Sequence, residues 1–262
     1  MAFGWPYFSE HLWLATSDQG VAAVIYAPSI VELKVGQKGQ VVRLIEDTSY
    51  PFSGKITFTV FSEEEVEFPL YLRLPGWAES AFIWVNDEQP AEVNAPGKFA
   101  VLERHWKYGD QICLNLEESI RIKFWPGIGQ AISVARGPLW FSLEIKEIWK
   151  SYGGTQDWPA WEVLPGSDWN YALEIDKDNL IRNIKLVEKK EVSYQPFSVE
   201  NSPLVLEAKA RQCPEWVAQG RMVGQVPPSP VSSVGSEKTI RLIPMGCTRL
   251  RITCFPWVRP EK

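Results

Sequence analysis

One stretch of the sequence combines acidic side chains with indole rings. Its members are Asp157, Trp158, Trp161, Glu162, Asp168 and Trp169. Glycosidases use two carboxyl groups about 5–10 Å apart, and sugars stack their C–H faces on aromatic rings. Trp158, Trp161, Asp168 and Trp169 are therefore candidate carbohydrate-binding residues. The competing interpretation, which the sequence favours, is that these residues cover one end of a β-sandwich.

The remaining reactive residue types do not form a recognised reaction centre. The two histidines, His11 and His105, have no Ser or Cys nucleophile motif beside them. The four cysteines are widely spaced, without a C-x-x-C pair, which argues against a zinc finger or ribbon. Phosphate-binding glycine loops and the H-E-x-x-H motif are also missing from the sequence. We therefore assign no catalytic residue, no metal ligand and no cofactor to this chain.

Composition narrows the classes of partner. The 262 residues carry a net charge of −5 and 13 Trp, against 12 Phe and 8 Tyr, and contain no block of Lys or Arg. This argues against nucleic acid and anionic membranes as partners. No apolar run approaches the roughly 18 residues that a membrane span needs. The N-terminus has no signal-peptide pattern, which as written indicates a cytoplasmic protein.

The periodicity of apolar residues indicates the elements that must position these side chains. Trp5, Phe8, Leu12 and Ala15 follow one another at helical spacing, which predicts one short N-terminal helix. From Val21 onward, short alternating segments rich in Val, Ile and aromatic residues are separated by turn sequences. The pattern predicts a mainly β fold, with two antiparallel β-sandwich domains after the helix.

A change in character near residues 150–155 suggests where the two sandwiches divide. We expect the helical segment over 1–16, the first sandwich over 17–146 and the second over 147–262. An alternative stays open, in which the last strands at 239–255 return to complete the first sandwich. Long chains commonly divide into such domains.

Several segments of the sequence form a distinctive set. Among them are Gly4-Trp5-Pro6 and Leu72-Arg73-Leu74-Pro75-Gly76-Trp77-Ala78, with others at 11–16, 20–29, 48–52, 85–86, 106–110, 135–139, 167–173 and 242–252. Together they resemble the DUF1680 proteins, which include the β-L-arabinofuranosidases of glycoside hydrolase family 127. The resemblance implies a catalytic (α/α)6 barrel followed by two β-sandwiches. It also implies zinc and a cysteine nucleophile, but only in the barrel. Cys113, Cys213, Cys247 and Cys254 do not match that motif.

The resemblance therefore indicates a barrel-less accessory region, with its helix as the last barrel helix or its remnant. Trp5, Phe8 and Leu12 would contact a catalytic barrel, in cis or in trans. If they stay exposed, they would favour self-association. The alternative function is a carbohydrate-binding module for arabinose-containing plant oligosaccharides, and a third, less favoured, is an enzyme with unrecognised carboxylates.

Overall fold

A computed structural model describes residues 4–189, 191–232 and 234–260. Within them the chain is mainly β, with one α-helix, two short 3-10 helices at Pro126–Ile128 and Met245–Cys247, and strands in every other regular segment. This confirms the predicted fold class. No helix in this described part has the length and apolar character needed to cross a membrane. The first three residues of the predicted 1–16 segment, and the last two of the chain, lie outside the described residues.

The N-terminal helix is shorter than its sequence pattern predicts. Helix α1 covers Gly4–Glu10, and Trp13–Ala15 form strand β1. β1 pairs in antiparallel fashion with β2, Val21–Ala23. The Leu12 carbonyl accepts a hydrogen bond from the Val24 amide at 2.9 Å. This pairing across the turn at 16–20 outweighs the helical spacing that reaches Ala15.

The first of two compact units ends at Ser119. Its remaining strands are β3 Ser29–Val35, β4 Gln40–Thr48, β5 Lys55–Ser62, β6 Val66–Arg73, β7 Ala81–Val85, β8 Ala91–Val93, β9 Phe99–Trp106 and β10 Gln111–Leu116. They form a four-stranded sheet, β1-β2-β6-β9, and a six-stranded sheet, β3-β4-β5-β10-β7-β8. All these pairs are antiparallel except β2 with β6.

One apolar core joins these two sheets into a sandwich. In β6, Val66, Phe68, Leu70 and Leu72 are buried while the intervening side chains are not, which confirms the predicted alternation. Phe58 of the facing sheet belongs to the same core. The fold of this unit therefore follows from alternating apolar residues on two sheets.

The second unit begins at Ile120. Its strands are β11 Ile120–Trp125, β12 Ala131–Arg136, β13 Leu139–Leu143, β14 Glu147–Gly154, β15 Pro159–Pro165, β16 Tyr171–Glu174, β17 Ile184–Glu188, β18 Leu204–Gln212, β19 Ala218–Gln219, β20 Met222–Val223, β21 Glu237–Pro244 and β22 Trp257–Val258. The main sheet has the order β11-β12-β13-β21-β18-β16-β22, with β17 also on β18. β14-β15 and β19-β20 are separate hairpins.

The main sheet curls until its two ends meet. Phe255, just before β22, forms an antiparallel bridge with Ile132 of β12, with both amide-to-carbonyl distances at 2.8 Å. The Trp257 indole donates to the Gln130 carbonyl at 2.9 Å. A sheet that closes in this way encloses its apolar face, so the second unit has a sandwich-like core of its own.

The division between the units lies before the position expected from the sequence. β11 to β13, assigned to the first sandwich, belong to the second unit because β13 pairs with β21. The same pairing keeps the last strands in the second unit and not in the first. Residues 150–155, interpreted as a boundary, are part of hairpin β14-β15, where Gly153 and Gly154 follow a β-bulge. The predicted strand at 249–255 is reduced to the bridge at Phe255.

Phe58→Ala is expected to destabilise the first unit strongly. Phe58 is fully buried and its ring contacts Trp13 and Tyr26. Truncation of a buried Phe costs about 3–5 kcal/mol of unfolding free energy. Urea unfolding followed by circular dichroism measures the loss. Ile30→Ala, at an exposed position of β3, is the control and should change stability by less than about 0.5 kcal/mol.

Glu46→Gln is expected to remove a pH dependence of stability. Burial raises the pKa of Glu46 to about 8, although its carboxylate accepts hydrogen bonds from the Ala27 amide and the Ser29 hydroxyl. The folded state then keeps a proton that the unfolded state has lost between pH 4.5 and 8. Folding stability therefore falls as pH rises through that window, by at most about 1.4 kcal/mol per pH unit.

Urea unfolding at pH 5, 6.5 and 8 tests this dependence. The Glu46→Gln variant should lose less stability than the parent protein between pH 5 and 8. Glu32→Gln, at an exposed position of β3, is the matched control and should retain the parent slope. Identical slopes in the parent and the Glu46→Gln protein would contradict the assignment.

Candidate functional site

The hairpin β14-β15 presents three of the tryptophans on the surface. Trp158 stands in the turn between the strands and is 83% exposed. Trp149 and Trp161 lie on the two strands, with ring centroids 6.1 Å apart at an interplanar angle of 77°. Trp149 is opposite Val163 and Ser151 is opposite Trp161, so the two indoles share one face of the hairpin. That face is a candidate stacking surface.

The other two predicted sugar-binding residues have different surroundings. Trp169 is half-buried, and its ring contacts that of the buried Trp216 at 5.3 Å. Asp168 is exposed and lies 3.4 Å from the Lys238 ammonium group. The structure therefore gives Trp169 a packing role and Asp168 an ion pair. In the part of the chain that the structure describes, neither residue shares a hydrogen bond, ion pair or ring contact with Trp158 or Trp161.

A cleft of about 720 Å³ lies next to the start of β14. Three segments line it: residues 144–149, 197–200 and 246–251. Glu147 is a charged residue of the cleft lining, and only 12% of its side chain is exposed. Its Oε2 atom accepts from the Trp149 indole at 3.1 Å and lies 3.3 Å from the Arg249 guanidinium. Glu147 thereby fixes an aromatic ring and a cation on the cleft wall.

Arg249 also packs against the Trp149 ring. The guanidinium carbon lies 5.0 Å from the ring centroid, which is a cation–π distance. Glu147, Trp149 and Arg249 therefore form one connected cluster. The cluster was not predicted from the sequence. Strand alternation places Glu147 and Trp149 on the same side of β14, but no sequence pattern connects them with Arg249, which is 100 residues further along the chain than Trp149.

The predicted barrel-contact residues divide into two groups. Trp5 and Phe8 lie on helix α1 and are 73% and 40% exposed, with their rings in edge-to-face contact at 6.1 Å. Tyr7 of the same helix is also exposed. Leu12 is buried within its unit, so it does not extend the exposed surface of the helix. The helix itself has no buried residue.

The outer face of the four-stranded sheet is also partly apolar. Leu14, Ala22, Tyr71 and Val101 occupy one row across β1, β2, β6 and β9. Leu14 and Val101 are exposed, and Phe99 beside them is exposed as well. The outer face of a sandwich sheet is usually polar, so a row of this kind indicates a contact surface.

A third surface feature is a groove of about 820 Å³ in the first unit. Phe61 and Tyr108 line it with their rings in edge-to-face contact at 5.2 Å. The Arg43 guanidinium lies 5.8 Å from the Phe61 centroid. Glu63 and Glu64 form part of the rim. Ser62 also lines the groove, and its buried hydroxyl has no hydrogen-bond partner among the described residues.

Cys247 lines the cleft beside Glu147, whereas Cys113, Cys213 and Cys254 line neither the cleft nor the groove. Burial raises the pKa of all four thiols, Cys113, Cys213, Cys247 and Cys254. All four are free. Across the described ranges, no group of three or more His, Cys, Asp and Glu side chains has an arrangement that could hold a metal ion.

Comparisons with known proteins give a family model and several solved structures. The model described as β-L-arabinofuranosidase, GH127 middle domain, matches residues 20–118. No curated protein matches the chain. A GH127 β-L-arabinofuranosidase from Geobacillus stearothermophilus has a similar structure over 96% of this chain and 35% of its own, at 21% identity and a TM-score of 0.61.

Two further solved structures are similar over most of the chain. A glycoside hydrolase matches 93% of this chain and 37% of its own, at 26% identity and a TM-score of 0.62. A GH127 β-arabinofuranosidase matches 92% of this chain and 35% of its own, at 17% identity and a TM-score of 0.61. The chain thus spans little more than a third of the structures it matches. Residues 20–118 are therefore similar to the GH127 middle domain, and the fold of the whole chain is similar to one part of GH127 β-L-arabinofuranosidases.

Proposed function

We propose that this chain is a non-catalytic accessory region of a GH127-like protein, and that it packs against a catalytic barrel in cis or in trans and supports it. The observation that carries the proposal is the exposed aromatic surface of α1, directly before the matched middle domain. Trp5, Tyr7 and Phe8 are all exposed there. Burial of each such aromatic side chain is worth roughly 1.5–3 kcal/mol, so a partner that covers them gains substantially.

The coverage of the matched structures supports the same role. The chain accounts for 35–37% of their length, which leaves most of each matched protein to other parts. The apolar row at Leu14, Tyr71 and Val101 adds a second surface that a partner could cover. In this arrangement the sandwich contributes to catalysis indirectly, because it stabilises the folded structure of the catalytic domain that it contacts. The zinc chemistry implied by the resemblance belongs to the barrel and not to this chain.

Association with a barrel in trans tests this role. The part of the Geobacillus stearothermophilus enzyme that this chain does not match, which by the resemblance holds the catalytic barrel, is expressed separately and mixed with this chain. We expect binding by sedimentation velocity and a higher melting temperature of the barrel. The double variant Trp5→Ser, Phe8→Ser should weaken binding at least about tenfold, because buried aromatic residues dominate interface energy. Tyr194→Ser, at a fully exposed position of the second unit, is the control.

The sandwich region of the bacterial enzyme itself, added to the same barrel, is the positive control. If that region binds and stabilises the barrel while this chain does neither, the accessory role is wrong. Equal binding by the double variant and the parent would leave the accessory role standing but would reject α1 as its contact surface.

A second role, as a carbohydrate-binding module for arabinose-containing plant glycans, is favoured by one observation. Trp149, Trp158 and Trp161 are exposed on a single hairpin. Exposed aromatic faces suit the C–H faces of sugars. Affinity electrophoresis in gels that contain arabinan or arabinoxylan tests this role. We expect retarded migration relative to gels without polysaccharide, and unchanged migration in every glycan gel would contradict the role.

A further inference from the structure

We infer that the cleft beside Glu147 is a binding site for a neutral arabinose-containing oligosaccharide, with Trp149 as its aromatic wall. This inference rests on the second role proposed above, glycan binding, and gives that role a site and a ligand class. The cleft volume of about 720 Å³ falls within the range of ligand sites in proteins, about 300–1,000 Å³.

The charges that line the cleft identify the class of ligand. Three cations and three carboxylates contribute to it, and they are Glu144, Lys146, Glu147, Glu200, Arg249 and Arg251. Their formal charges cancel, so the cleft does not select for an anionic or a cationic ligand. It offers many hydrogen-bond donors and acceptors together with an indole ring. A neutral polyhydroxylated ring has both the hydroxyls and the C–H face that match these groups.

The wall of the cleft is already held in place before a ligand binds. Glu147 Oε2 accepts from the Trp149 indole and pairs with Arg249, and Arg249 packs on the same ring. Trp149 also contacts Trp161 edge to face. These contacts restrict the indole to one orientation, which lowers the entropy that a ligand must overcome on binding.

Glu147 also has an unused acceptor. Its Oε1 atom is buried and, among the residues that the structure describes, has no hydrogen-bond partner. A buried acceptor without a donor is unfavourable, because nothing replaces the hydrogen bond to water that it loses on burial. A sugar hydroxyl entering the cleft is a donor of the right kind. Glu147 therefore positions Trp149 and Arg249 through Oε2. Its Oε1 atom accepts a hydrogen bond from a hydroxyl of the bound ligand.

Trp158 marks the competing candidate site on the same hairpin. It is the most exposed of the hairpin tryptophans, and it does not line the cleft. The sugar-binding residues predicted from the sequence are Trp158, Trp161, Asp168 and Trp169, whereas the aromatic residue that lines the cleft is Trp149. Substitution of Trp149 and Trp158 separately therefore distinguishes the two sites.

Isothermal titration calorimetry of the whole chain with arabinotetraose tests the inference. Trp149→Ala should weaken binding roughly tenfold or more, and Glu147→Gln roughly fivefold, because aromatic contacts and charged hydrogen bonds of this kind are each worth about 1–2 kcal/mol. Trp149→Phe should retain most of the affinity, and Tyr152→Ala, at an exposed position of β14 that does not line the cleft, should leave it within about twofold. Circular dichroism confirms that each variant is folded.

The alternative outcomes separate this inference from the roles above. Weaker binding in Trp158→Ala but not in Trp149→Ala would overturn the cleft and leave glycan binding on the hairpin turn. Tighter binding of a galacturonic acid trimer than of arabinotetraose would overturn the neutral ligand class. If the parent chain binds no oligosaccharide by calorimetry and no polysaccharide in gels, both the cleft and the glycan-binding role fail, while the accessory role is unaffected.

Discussion

The second unit depends on the pairing of β13 with its neighbours. Phe141, Ser142 and Leu143 are buried and pair with Pro244, Ile243 and Leu242 of β21, while the other side of the strand receives the returning chain. The Leu143 amide donates to the Ile252 carbonyl at 2.9 Å, and the Ile252 amide donates to the Ser142 hydroxyl at 3.0 Å. Since these bonds fix the return segment beside β13, they bring Arg249 and Arg251 next to the residues that lead into β14. The cleft is a consequence of that register.

The first unit is built on a different constraint, the enclosure of one apolar core between two sheets. Within the same unit the carboxyl group of Glu46 is nearly fully buried. Its two oxygens accept hydrogen bonds from the Ala27 amide and the Ser29 hydroxyl. These bonds tie the segment that links β2 to β3 onto β4. Ser29 in turn accepts from the Trp13 indole at 3.0 Å. Through Ser29, this polar side chain connects the first strand of the four-stranded sheet with the opposite sheet.

Sequence patterns predicted what depends on local periodicity. The alternation in β6 and the short strands between turns were sufficient for a mainly β sandwich. Trp5 and Phe8 lie on helix α1, in whose described residues no side chain is buried. The end of α1 depends on the pairing of β1 with the nearby β2, which the helical spacing does not reveal. The division at Ser119 was not accessible either, because it depends on the pairing of β13 with β21, which are far apart in sequence. The same holds for the cleft. Glu147 and Trp149 are neighbours in sequence, but Arg249 reaches them only through the β13 register.

Hairpin β14-β15 is paired with no other strand in the described parts of the chain. A two-stranded ribbon is marginally stable in water, and much of what stabilises this one is the contact between Trp149 and Trp161 together with the link from Glu147 to Arg249. Its backbone amides should therefore open at a lower free energy than those of the main sheet. Any molecule that covers the indoles would protect these amides from hydrogen exchange, so occupancy of this surface is coupled to the order of the ribbon that presents it.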